Sequence, residues 1–166
     1  MNLSTFLAKS YMNLWSTRPI LDLSDTRNES IYHSKFEAAT SKQKREILYK
    51  IAENNYNEEK SFPIDKYLES IGLDTEIFKN KKVLDLGCGY GGRSIRLAEK
   101  WNVDSMSGVE VRAEYVQAAT HFSSDERFSN IKFNFRRGEG EKLPFSDSEF
   151  DVVFSFDVLE HVVNPL

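Results

Sequence analysis

The stretch Lys82-Val-Leu-Asp-Leu-Gly-Cys-Gly-Tyr-Gly-Gly-Arg-Ser-Ile-Arg-Leu97 decides the reading of this chain. Val83, Leu84 and Leu86 form the short apolar run of a strand buried on both faces, and Gly87, Gly89, Gly91 and Gly92 make a turn nearly free of side chains. From Ser94 to Trp101 the apolar residues Ile95, Ala98 and Trp101 return at helical spacing. Strand, glycine turn and helix together bring backbone N–H groups and the positive end of a helix against a ligand. Gly87, Gly89 and Gly92 satisfy the G-x-G-x-x-G pattern of dinucleotide-binding folds, so the discriminating residue is Asp85, at the carboxyl end of the strand with its charge toward the loop. A pyrophosphate there meets repulsion of about 1 kcal/mol at about 4 Å in water, and several times more near a protein surface. A cationic ligand is attracted.

Downstream, strands alternate with helices, the pattern of a parallel sheet covered on both faces. Val103 to Val111 contains a second strand, Ala113 to Phe122 a helix and Ile131 to Phe135 a third strand; Phe150 to Phe156 is an apolar run suited to a central fourth. Upstream the character is helical. Leu3, Phe6, Leu7, Tyr11, Leu14 and Trp15 recur at spacings near 3.6, ending before Arg18-Pro19. A second helix is predicted from about Tyr32 to Tyr56, dissolving in Glu53-Asn54-Asn55-Tyr56-Asn57. A third runs from Pro63 to Gly72 with Ile64, Tyr67, Leu68 and Ile71 as its buried stripe, and Asp74 to Phe78 adds one turn.

Asp85-Leu86-Gly87-Cys88-Gly89-Tyr90-Gly91 resembles, position for position, the first motif of the class I S-adenosylmethionine-dependent methyltransferases. Their donor carries an ammonium and a sulfonium and no phosphate. Leu143-Pro144-Phe145, then Phe150-Asp151-Val152-Val153, then Leu159-Glu160-His161 are similar to stretches of the small-molecule members. The resemblance covers the second half of the chain. It implies a Rossmann-like three-layer α/β fold with strand order 3-2-1-4, a helical lid or cap over residues 1–78, and the first half of the donor-binding domain over 79–166. The family's sheet has seven strands, so the chain reads as truncated after the fourth, a fragment whose apolar edge strand invites self-association.

The same resemblance implies the site. Glu110 closes the second strand 18 residues after Gly92, where Rossmann-like folds place a carboxylate for ribose hydroxyls. Glu139 stands in the slot for the adenine amino group, where the family usually has Asp, and Gly140 offers the backbone contact. Asp85, Gly87, Cys88, Gly89 and Tyr90 form the loop side, with Tyr90 toward the methionine end; Val111, Glu141, Ser155 and Phe156 complete the donor set. His161 is the candidate base if the acceptor must lose a proton, or a structural residue bonded to a neighbouring loop. Asp157, Glu160 and His161 share one helical face and form an alternative metal set; the leading reading has no metal.

Bulk properties narrow the alternatives. The 166 residues carry a net charge of -4, which gives no general attraction for nucleic acid or anionic membranes. Cys88, the single cysteine, cannot form an intrachain disulfide, and neither a secretory leader nor an apolar run of spanning length is evident, so the cytoplasm is the expected compartment. The expected activity is methyl transfer from S-adenosylmethionine, giving S-adenosylhomocysteine, to a small-molecule acceptor. Two alternatives stand: a nicotinamide-dependent oxidoreductase, supported by the glycines and Glu110, and a non-catalytic adenosine-binding or interaction module.

Overall fold

The structure, a computed structural model, describes residues 38–61, 64–156 and 158–159. The expected helix over Leu3 to Trp15 lies outside them. Helix α1 (Ser41–Ser61) opens on a capping box: the Thr40 backbone N–H donates to Gln43 Oε1 (2.9 Å) and the Gln43 N–H to Thr40 Oγ1 (3.3 Å). The helix does not dissolve at Asn54–Asn57 as the sequence predicts but continues to Ser61. Asn55 Oδ1 accepts from the Arg93 N–H (2.9 Å), and Tyr56 is buried with its hydroxyl donating to Glu99 (2.6 Å). Those tertiary contacts outweigh the poor intrinsic helix preference of the asparagines.

Helix α2 (Ile64–Ser70) follows, its Ile64 N–H donating to the buried Glu59 carboxylate of α1 (2.7 Å). A 3₁₀ turn, Thr75–Phe78, then leads into the sheet. Strands β1 (Lys82–Leu86), β2 (Ser105–Glu110), β3 (Lys132–Arg137) and β4 (Val152–Phe154) are all parallel, in the order β3-β2-β1-β4 that the sequence predicts. Helix α3 (Gly92–Lys100) connects β1 to β2, and α4 (Ala113–Ser123) connects β2 to β3. β4 is three residues long, shorter than the expected Phe150–Phe156 run, and forms one end of the described sheet with Val153 41% exposed.

Register places Val83, Met106 and Phe133 side by side, and next to them Asp85, Gly108, Phe135 and Phe154. This face carries the helices. Towards the start of β1 and β2, Val83 and Met106 pack with Leu68, Phe78 and Trp101 and with Phe154 of β4, the Phe78 and Trp101 rings stacking at 4.0 Å. Towards their ends Cys88 and Phe135 pack with Leu48, Ala52, Ile95, Ala119 and Phe122. Burying an aromatic such as Phe122, fully enclosed here, is worth about 1.5–3 kcal/mol. At Gly92 the two helices α1 and α3 meet backbone to backbone: a Cβ there would run into the Ala52 carbonyl oxygen and lie 2.5 Å from the Tyr56 nitrogen. The loop after β3 serves the opposite face, where Arg136 lies over the Phe145 ring (4.9 Å) and donates to the Pro144 carbonyl (2.8 Å). No described helix is long and apolar enough to cross a membrane.

Candidate functional site

In an open parallel α/β sheet the crevice beyond the carboxyl ends of the strands is where ligands sit. Here that crevice is a cleft of about 450 Å³, lined by Leu86 and Gly87 from β1, Glu110, Val111 and Arg112 after β2, Gly138 to Glu141 after β3, and Val158. Six residues expected from the sequence therefore share one cavity: Gly87, Glu110, Val111, Glu139, Gly140 and Glu141. Glu110 is positioned by its own turn, since the Arg112 N–H donates to its Oε1 (3.0 Å). Val111 is 54% exposed, an apolar surface left open beside a carboxylate. The β3 side is tied back by the Gly138 N–H donating to the Glu110 carbonyl (3.1 Å) and by Arg137 Nε donating to the Val111 carbonyl (3.0 Å).

Asp85 stands beneath the cleft rather than on its wall. It is 5% exposed, and among the described residues its carboxylate accepts from Ser94 Oγ (2.6 Å), at the first turn of α3. Burial pushes its pKa up to about 6, helped by the Glu110 charge and opposed by the Ser94 hydrogen bond and by Arg93. The loop above it is likewise less open than the glycines predict. Two of its N–H groups, Gly87 and Cys88, donate to the Val109 carbonyl (2.8 and 3.0 Å) and are directed at β2 instead of a ligand. The Cys88 thiol is buried in the core, where desolvation and then the Asp85 and Glu110 charges hold its pKa well above the usual thiol value. A nucleophilic role for it has no support.

Tyr90 faces a different space, a hollow of about 1020 Å³ bordered by Ala38 and Ala39 and by α1 as far as Glu58. Gly89, half-buried between Cys88 and Tyr90, has open space beside it. Ser155 Oγ donates to the Leu86 carbonyl (3.0 Å), fastening the end of β4 to the end of β1. Phe156 leans on Phe154 (5.2 Å) in the helix-side core, away from the cleft. Asp157, Glu160 and His161 lie outside the described residues, as do Tyr11, Trp15 and Tyr32. The sequence reading missed Ser94 and Arg112. Ser94 lies in the first turn of α3, and Arg112 stands two residues after Glu110 where α4 begins, so proximity to the motifs is the signal that marks both.

Residues 77–166, more than half of the chain, match the family of methyltransferase domains, and the chain belongs to that family. It is 31% identical over 84 residues to norajmaline N-methyltransferase of Rauvolfia serpentina, covering 51% of this chain and 28% of that protein. Over 114 residues it is 28% identical to the chloroplastic tocopherol O-methyltransferase of Arabidopsis thaliana, covering 68% of this chain and 32% of that one. It also superposes, with a TM-score of 0.51 and 24% identity, on a Galdieria sulphuraria structure provisionally assigned as a sarcosine dimethylglycine methyltransferase, covering 60% of this chain and 37% of the other. The fold is thus the Rossmann-like one of S-adenosylmethionine-dependent methyltransferases. The chain spans under a third of the length of these two curated relatives.

Proposed function

We propose that the cleft binds S-adenosylmethionine and that the protein transfers its methyl group to a small-molecule acceptor by direct displacement. The observation that carries this reading is the convergence of acidic residues from three strand ends, Asp85, Glu110 and Glu139, around one glycine-edged cleft. Among the described residues Glu110, Glu139 and Glu141 line it together with one basic residue, Arg112, whose guanidinium is turned to Tyr115, a balance that suits a cationic nucleoside and opposes a pyrophosphate. The residues fit the group in polarity as well: a carboxylate for ribose hydroxyls at Glu110, an apolar surface for a purine face at Val111, and an acceptor with an adjacent backbone N–H for the purine edge at Glu139 and Gly140.

When bound, the donor supplies a methyl group on a positively charged sulfur, so no covalent enzyme intermediate is needed. The chain contributes alignment, and orientation in a water-poor site is worth up to about 7–11 kcal/mol. Asp85 contributes charge from below. A cation in the cleft favours its ionised form and draws its pKa back from about 6, so binding releases a proton near that pH. For an acceptor that must lose a proton, His161 is the proposed base. Relatives named for N- and for O-methylation both match this chain, so the family likeness by itself does not fix the acceptor atom.

The test is calorimetric titration of the purified chain with S-adenosylmethionine, S-adenosylhomocysteine and NAD. Binding of the two sulfur nucleosides with NAD at least tenfold weaker is the expected result. Preference for NAD overturns the reading, and so does unaltered sulfur-nucleoside affinity in folded Glu110→Ala and Glu139→Ala variants.

A further inference from the structure

The glycine loop has few side chains with which to hold itself in place, and helix α4 grips it at two consecutive residues. The Tyr90 ring lies 3.9 Å, centroid to centroid, from Tyr115. Gly91 sits at φ 75°, and a Cβ on it would collide with the Ala119 side chain and come within 2.9 Å of the Ala119 Cα. Tyr115 and Ala119 are four residues apart, on one face of α4. Tyr115 is fixed in turn by Arg112, whose Nη1 donates to its hydroxyl (2.7 Å) and whose guanidinium carbon lies 5.0 Å from its ring centroid. Arg112 is also the residue whose backbone N–H caps the Glu110 carboxylate (3.0 Å).

One line of contacts therefore runs from Glu110 through Arg112 and Tyr115 to Tyr90, joining the carboxylate at the end of β2 to the loop after β1. We propose that Arg112 and Tyr115 are positioning residues of the donor site: they hold Glu110 and the glycine loop at a fixed separation, so that a ligand spanning both meets a preformed cleft. This rests on the donor-site reading for its ligand but not for the brace itself, which is a property of the ligand-free chain. Preorganisation of this kind raises affinity by removing the ordering cost from the binding step. Arg112 lines the cleft but its guanidinium is turned to Tyr115, which distinguishes positioning from direct recognition.

The experiment combines amide hydrogen exchange on the ligand-free chain with titration by S-adenosylhomocysteine, in wild type, Tyr115→Leu, Tyr115→Phe and Arg112→Met. In Tyr115→Leu, exchange at residues 89–91 is expected to accelerate about tenfold while β1 and β2 keep their protection, and the dissociation constant to rise about tenfold. Tyr115→Phe, which retains the ring, stays within about threefold of wild type on both measures, and Arg112→Met falls between. Unchanged loop exchange in Tyr115→Leu overturns the brace. Faster exchange with wild-type affinity overturns the positioning role. If Tyr115→Leu loses strand protection as well, Arg112→Met decides by the same two readouts. A wild-type chain that fails to bind S-adenosylhomocysteine overturns the donor reading, and exchange alone then decides whether the brace exists.

Discussion

The two ends of the cleft are built on opposite principles. At the β1 end the acidic residue, Asp85, is 5% exposed, and the loop above it is seated on α1 through Gly92 and on α4 through Gly91. At the β3 end Glu139 and Glu141 are exposed on a loop whose contacts include the Lys142 N–H donating to the Glu139 carbonyl (3.1 Å). A desolvated charge acts strongly and responds to pH, whereas a charge at the mouth is weakened by water and salt. Under the proposed function, the inner end would select the sign of the ligand's charge and the outer end would set where its far portion lies.

The largest expected effect lies where the inner end is most tightly built. Gly92→Ala presses a methyl group onto backbone atoms of α1, the Ala52 carbonyl and the Tyr56 nitrogen, which have no rotamer into which to retreat. A loss of about 3 kcal/mol in denaturant unfolding is expected, with ligand affinity falling alongside. A loss under about 0.5 kcal/mol would mean that α1 is not seated on α3 at that point.

Asp85→Asn comes next and moves two properties in opposite directions. Sulfur-nucleoside affinity is expected to fall about tenfold to a hundredfold, because a charge-assisted partner is removed. Stability of the ligand-free chain should instead rise near neutral pH. The folded-state pKa of about 6 exceeds the ordinary value of 3.8, so the native chain holds a proton that the unfolded chain releases between those values. The Asp85 contribution to stability is therefore fully present below about pH 4 and lost as pH rises through about 6. Thermal unfolding should show the variant gaining on wild type across that window, by on the order of 2 kcal/mol, and a flat difference would place Asp85 in contact with water.

The legible part of this molecule is local in sequence. The β1 strand, the glycine turn and the α3 helix follow from side chains adjacent in the chain, and the alternating patterns give a parallel sheet, whereas the 3-2-1-4 order was legible only through the family resemblance. The depth of Asp85 was not legible, because it depends on Ser94 and on helices that arrive from distant segments. Nor was the direction of the Gly87 and Cys88 N–H groups, which is set by the Val109 carbonyl on the neighbouring strand. The extension of α1 past Asn54 ran against local propensity and required the contacts with Arg93 and Glu99. The sequence reading began this helix near Tyr32 and passed over the Thr-x-x-Gln pattern of Thr40 to Gln43, the capping box on which α1 opens.

At the outer end the effects should be smaller and salt-dependent. Glu110→Ala is expected to cost about tenfold in donor affinity with little change in stability, since its carboxylate is held by one backbone N–H at an open rim. Glu139→Gln should cost only about twofold to threefold at low salt, because the amide retains a hydrogen-bond acceptor and loses an exposed charge. Raising ionic strength separates the two ends: near 0.5 M salt the Glu139→Gln deficit should vanish, while the Asp85→Asn deficit, arising where solvent ions do not penetrate, should persist. If both deficits fade together, Asp85 is reached by solvent during binding, and the cleft opens further at its inner end than its ligand-free geometry shows.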